Sequence, residues 1–71
     1  MSRRQSTELI YEGRYLAVVP VELIEDETEW SPYLSADEAE KLDAVRLALR
    51  AGDIAAAARQ AKVFELTPVG A

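Results

Sequence analysis

The stretch "YLAVVPVELI", residues 15–24, constrains the fold most, because it is apolar at both its odd and its even positions. Its β-branched and aromatic residues favour a β-strand, in which alternate side chains point to opposite faces. A strand that is apolar on both faces needs cover on both. We expect one cover from this chain and the other from a partner. The two sets are Tyr15, Ala17, Val19, Val21 and Leu23, and Leu16, Val18 and Ile24.

The chain has 71 residues and no cysteine, which limits the ways in which it can be stabilised. A domain of this size buries only about 60% of the surface of its unfolded chain and is marginally stable on its own. Disulfides and thiolate metal sites are excluded. A compact apolar core, a partner chain, or both must therefore supply the stability, and the hydrophobic content of 49% is sufficient for a folded domain.

The first half of the chain predicts a β-hairpin. The runs Leu9–Tyr11 and Tyr15–Val19 favour strands, and Gly13 between them suits a tight turn. Pro20 lacks an N–H, so it predicts an edge, a bulge or a break, with fast amide exchange around it. The acidic run "EDETE" should end the pairing, and "WSPYLS" reads as a loop because Pro32 disfavours helix at the residue before it.

The second half predicts two short helices and a final strand. Ser35 and Glu38 have the spacing of a capping box, and Leu42, Val45 and Leu49 form the apolar stripe of a helix. The pair Gly52-Asp53 ends this helix and caps a second one, "IAAAARQA". The run "KVFEL", residues 62–66, then alternates like a strand.

These elements predict a small α+β domain of order ββααβ. It would contain a three-stranded, mostly antiparallel sheet with an αα-hairpin on one face. Residues 1–6 would be a flexible N-terminal tail, residues 7–67 the single domain and residues 68–71 a C-terminal tail.

The residues argue against catalysis and against a bound cofactor or metal. With no histidine, the commonest general base and metal ligand is missing, and neither Ser31 nor Ser35 has a convincing activating partner. "EDETE" lacks the glycine and spacing of a calcium loop, and the three glycines are isolated. No signal peptide and no apolar run of membrane-spanning length is evident, so we expect a cytoplasmic protein without membrane contact.

Charge is segregated along the chain. Residues 22–43 hold nine acidic groups and one basic group, a net of −8, whereas the remaining residues sum to +3 and give the total of −5. Such a segment repels nucleic acid and attracts a basic protein. Trp30 and Tyr33 are of the types that often anchor interfaces. The predicted partner-binding residues are Glu25, Asp26, Glu27, Glu29, Trp30 and Tyr33.

Two simpler interpretations stay open for this segment. The carboxylates could only solvate the rim of a small domain, and Trp30 could close the end of its core.

The segments "YEGRYLAVVP" and "SADEAEKLDAVRLAL" together resemble the core of the HicB-like antitoxins. The resemblance rests on a hairpin pattern and a helix start, and covers about half of the chain. It implies a small α+β module that binds and occludes a basic toxin ribonuclease. The acidic "EDETEW" replaces the family's usual strand and Gly-Asp helix entry, and no DNA-binding domain follows. The matching positions are Glu12, Gly13, Tyr15, Ala17, Pro20, Ser35, Glu38 and Ala39.

The sequence therefore predicts a non-enzymatic protein-interaction module, plausibly an antitoxin-like inhibitor of a basic protein partner. The alternative is a self-associating structural domain, in which the second face of the strand beginning at Tyr15 is buried in a homodimer.

Overall fold

The computed structural model describes residues 2–26 and 32–70. It confirms a small α+β fold with an antiparallel sheet and two helices. The sheet has four strands in this part of the chain, one more than predicted, because Tyr33 and Leu34 pair with the second strand. The elements are β1 (Ser2–Glu12), β2 (Tyr15–Glu25), β3 (Tyr33–Leu34), α1 (Ala36–Arg50), α2 (Ile54–Ala58) and β4 (Lys62–Glu65).

Strand β2 is the centre of the sheet. One of its edges pairs with β1 over the whole length of both strands, from Ser2 opposite Glu25 to Glu12 opposite Tyr15. The other edge is shared, because β4 pairs with residues 15–18 and β3 with residues 23–24. Every other described strand thus pairs with β2.

The prediction that Pro20 marks an edge, a bulge or a break is right locally for the edge and wrong for the bulge and the break. The strand continues through this residue, which pairs with Thr7 of β1. On the opposite edge, however, residues 19–22 lie between β4 and β3 and have no strand partner among residues 2–26 and 32–70. Since N–H groups alternate between the two edges of a strand, an N–H at position 20 would point into this gap. Proline is tolerated there because no ladder bond is lost.

The prediction of an unpaired N-terminal tail is wrong for residues 2–6. They belong to β1 and pair with residues 21–25 of β2. These residues are polar, so their composition did not predict a strand. They form one because the far half of β2 supplies their pairing partners. The hairpin turn itself is as predicted, with Gly13 at a φ of 60° that glycine adopts without strain.

The core lies between one face of the sheet and the two helices. The sheet contributes Ile10, Ala17, Val19 and Val21, and the helices contribute the remaining buried residues. The largest fully buried side chains are valines, and the aromatic residue Tyr15 packs half-buried against the core. From the helices come Val45, Leu49 and Ala57.

Local chemistry sets the ends of the helices as predicted. The Ser35 hydroxyl accepts the backbone N–H of Glu38 at 3.2 Å, and the Asp53 carboxylate accepts that of Ala56 at 3.1 Å. Between the helices Gly52 has a φ of 77°, the left-handed conformation typical of a helix C-terminus. Helix α2 is shorter than its alanine-rich sequence suggested, ending at Ala58.

Replacing Ser35 by alanine should destabilise the protein by about 1 kcal/mol, because the N–H of Glu38 loses its acceptor at the start of α1. Ser35→Asp is the matched control, since it keeps an acceptor oxygen and should unfold close to the wild type. Denaturant unfolding measures both. Equal stability of Ser35→Ala and wild type would contradict the cap.

Candidate interaction surface

The sheet face opposite the helices is apolar and has no cover in the described chain. Because the odd-numbered residues of β2 face the core, its even-numbered residues point the other way, together with the residues paired to them. We call this surface the outer face. Its apolar residues are Leu9, Tyr11, Leu16, Val18, Ile24, Tyr33 and Phe64.

Large side chains on the outer face are strongly exposed. Tyr11 is 62% exposed, Leu9 52%, Phe64 48% and Tyr33 42%. The larger rings therefore face solvent while the core is built from valine, leucine, isoleucine and alanine. Leu9, Tyr11 and Phe64 cluster around Leu16 and Val18, whereas Tyr33 lies beside Ile24 at the other end of β2, beyond Pro20 and Glu22. Exposed apolar clusters often mark sites of association.

The dimensions of the molecule agree with a sheet covered on one side. The extents along the principal axes are 49, 27 and 14 Å, and the radius of gyration is 14.3 Å. A compact domain of this length has a radius of gyration of about 11 Å. The protein is thus elongated and thin, with much surface for the little core that it encloses.

A hollow of about 440 Å³ opens beside the outer face. The sheet contributes Thr7, Val18, Pro20 and Lys62, and the connection from α2 to β4 contributes residues 59–61. Arg59 and Lys62 at its margin form no ion pair within residues 2–26 and 32–70. The hollow has the size and the apolar floor needed to receive a side chain of another protein.

Part of the acidic block is neutralised by the strand opposite. Arg3 pairs with Glu22 at 2.9 Å and Arg4 with Glu25 at 3.1 Å, so the first residues of β1 offset the last acidic residues of β2. The Ser2 hydroxyl also donates to Glu25 at 3.5 Å. These groups are substantially exposed, so each pair contributes little to stability. They do reduce the negative potential at this end of the sheet.

Two side chains of α1 fill the gap in the second edge of β2. The Glu38 carboxylate accepts the backbone N–H of Glu22 at 2.6 Å, and the Lys41 ammonium donates to the carbonyl of Pro20 at 2.6 Å. Glu38 and Lys41 also form an ion pair at 3.3 Å. The predicted capping box is therefore only half formed, because the Glu38 side chain bonds to β2.

The bond from the Glu22 N–H, together with the nearby Lys41 ammonium, holds the pKa of Glu38 below its ordinary value. Partial burial of Glu38 acts in the opposite direction and is outweighed. The charged carboxylate is thus the form that the fold stabilises.

The structure places three of the six predicted partner-binding residues. Tyr33 lies on the outer face opposite Ile24, Glu25 is paired with Arg4, and Asp26 directly follows β2. The other three, Glu27, Glu29 and Trp30, lie outside the described residues. Of the aromatic residues predicted to bind a partner, Tyr33 is thus the one that the structure assigns to the outer face.

The prediction missed Leu9, Tyr11 and Phe64, the most exposed apolar residues of the outer face. They come from strands that are distant in sequence and meet only through pairing with β2. A signal was present, since both faces of β2 are apolar. The sequence did not reveal which residues of the neighbouring strands extend the second face.

No group of three or more acidic, histidine or cysteine residues in the described segments is arranged to hold a metal ion. The helices in those segments are too short or too polar to cross a membrane. Comparison of the chain with protein-family models, curated proteins and solved structures gives no match.

Replacing Glu38 by glutamine should destabilise the protein by about 1 to 2 kcal/mol at pH 7, because the Glu22 N–H loses a charged acceptor. Since the pKa of Glu38 is lowered in the folded state, its contribution is present above the ordinary pKa of 4.5 and is lost as pH falls through the folded value. The difference between wild type and Glu38→Gln should therefore shrink in acid.

Denaturant unfolding between pH 7 and pH 3 measures this difference. Glu40→Gln is the matched control, because Glu40 is exposed on the same helix and forms no ion pair in the described part of the chain. An equal loss of stability at both ends of the pH range would contradict the role of the charge.

Proposed function

We propose that the protein is a non-enzymatic interaction module whose outer face docks on another protein. The observation that carries the proposal is the exposed set Leu9, Tyr11, Tyr33 and Phe64 on a sheet whose opposite face packs against the helices to form the described core. Aromatic residues bring large contact area with little loss of side-chain freedom, and they dominate the binding energy of many interfaces.

The small core supports the same function. Val19, Val21 and Val45 are its largest fully buried side chains, and a chain of this length gains little stability from such a core. Covering the outer face would bury the aromatic rings and complete a second apolar layer. Association would then stabilise the fold as well as form a complex.

We propose a basic protein as the partner, in an antitoxin-like arrangement in which that partner is a toxin ribonuclease. The net charge of −5 and the acidic run after β2 would attract a basic protein over long range. Asp37 and Glu40 add exposed carboxylates that form no ion pair in residues 32–70. The resemblance to HicB-like antitoxins agrees with this charge and points to occlusion of the partner.

Charge and apolar contact would have separate tasks. Within residues 22–43, the described carboxylates lie at the end of β2 and on α1, whereas Arg59 and Lys62 border the hollow beside the outer face. Carboxylates would therefore accelerate the encounter, and the outer face would determine how long the complex lasts.

Binding to the product of an adjacent gene that encodes a small basic protein tests the docking surface. Tyr11→Ser and Phe64→Ser should each weaken binding about tenfold or more, with only a small change in unfolding temperature, because both rings are exposed. Leu47→Ser is the matched control, since Leu47 is also 62% exposed but lies on α1. Absence of binding, or an equal loss with Leu47→Ser, would overturn the proposal.

The steering role of the acidic run has its own test on the same complex. Glu27→Gln with Glu29→Gln should slow association at low salt by about threefold or more, and the effect should disappear at high salt. Asp37→Asn with Glu40→Gln changes the net charge equally and serves as control. Stopped-flow association rates distinguish them, and identical slowing by both pairs would mean that overall charge, rather than this segment, attracts the partner.

A further inference from the structure

Strand β1 leaves one whole edge of the sheet unpaired. It is 11 residues long, pairs with β2 on its inner side, and has no strand partner on its outer side in the described chain. It contains no proline, glycine or lysine and no bulge, because its register with β2 is continuous. Prolines, lysines and bulges commonly protect an edge strand against pairing with another chain. Charged side chains can do the same, and those of β1 are Arg3, Arg4, Glu8 and Glu12.

The direction of the free backbone groups follows from β2. The Glu22 N–H donates a hydrogen bond to a side chain of α1, and the Pro20 carbonyl accepts one from α1. Both backbone groups therefore lie on the edge of β2 that faces away from β1. Even-numbered residues of β2 therefore point away from β1, and the odd-numbered residues of β1 point outward. No hydrogen bond joins these outward backbone groups to another described residue. They belong to Arg3, Gln5, Thr7, Leu9 and Tyr11.

The charges of β1 are complementary to those of a second, antiparallel β1. Arg3 and Arg4 stand near one end of the strand, and Glu8 and Glu12 stand toward the other. Three of them also pair within the chain at exposed positions: Arg3 with Glu22, Arg4 with Glu25, and Glu12 with Arg50. An antiparallel neighbour places the basic end of each strand beside the acidic end of its mate. The same strand placed in parallel would bring like charges together.

We propose that two copies of the chain join through their β1 edges, antiparallel and centred on Thr7, to form one continuous sheet of eight strands. Thr7 is the middle of Ser2–Glu12, so this register pairs the full strand. It places Ser6 opposite Glu8 of the second copy, and Arg4 diagonally beside Glu8 and Glu12. About ten backbone hydrogen bonds would form, two for each hydrogen-bonded pair.

A register centred one residue later is disfavoured, because it sets the Glu8 carboxylates of the two copies directly opposite each other. Edge pairing leaves the outer face open and makes it continuous across both copies. The dimer is therefore independent of the proposed docking of a second protein on the outer face.

Single cysteines test the register cleanly, because the chain contains none of its own. In a hydrogen-bonded antiparallel pair the Cα atoms lie about 5.5 Å apart, within the range that a disulfide spans. Under mild oxidation, the cysteine of Thr7→Cys should form a disulfide with the same cysteine in the second copy. Gln5→Cys should not, because its two copies would lie about 14 Å apart in this register.

Mixing the Ser6→Cys protein with the Glu8→Cys protein distinguishes two ways of forming a dimer: pairing of the β1 edges and packing of the two outer faces against each other. Both residues point to the helix side of the sheet, so two outer faces in contact would keep them apart. Edge pairing makes them direct neighbours, and the mixed disulfide should form faster than either homodimer. Leu47→Cys, exposed on α1, gives the rate of random collision.

Sedimentation equilibrium of the wild type from about 10 to 500 μM provides the first readout, with a dimer expected. Thr7→Pro removes one outward N–H from each copy and should weaken the dimer at least tenfold, while the far-ultraviolet circular dichroism stays unchanged. A monomer throughout this range would overturn the proposal. So would a dimer in which the Ser6 and Glu8 cysteines cross-link no faster than Leu47→Cys.

Discussion

The architecture depends on how the second edge of β2 is closed. No single strand covers this edge in the described residues; β4 pairs with its beginning, β3 with its end, and α1 supplies side chains between them. Glu38 and Lys41 thus act in place of a strand at the backbone of Glu22 and Pro20. The Lys41 ammonium forms an ion pair with the Glu38 carboxylate, so the negative charge of Glu38 is compensated beside the backbone of β2. The same bonds fix the start of α1 over the core.

The distribution of apolar residues gives the sheet two unequal faces. The helix-covered face uses small and branched residues, which pack closely at a short distance from α1 and α2. The outer face carries the exposed rings of Tyr11, Tyr33 and Phe64. The sheet therefore separates a face that maintains the fold from a face that is suited to contact with other molecules.

Features encoded by neighbouring residues were predictable from the sequence. The turn at Gly13, the cap at Ser35 and the helix junction at Gly52-Asp53 each depend on a few adjacent residues, and the structure confirms them. The pairing of residues 2–6 and of β3 depends on distant partners, so local composition concealed both. The candidate surface shows the same division: Tyr33 was identified from its own segment, whereas Tyr11 and Phe64 join it only through the sheet.

The short C-terminal elements have a consequence for local unfolding. Strand β4 and helix α2 contain four and five residues, and β4 pairs with residues 15–18, which lie 44 to 50 positions earlier in the chain. Detaching β4 and α2 together breaks few hydrogen bonds and gains much chain entropy, because the unit is small. Its transient opening would free the first part of β2 while the long hairpin with β1 stays paired. Proteolysis and aggregation would then begin at this corner of the sheet, away from the well-anchored start of α1.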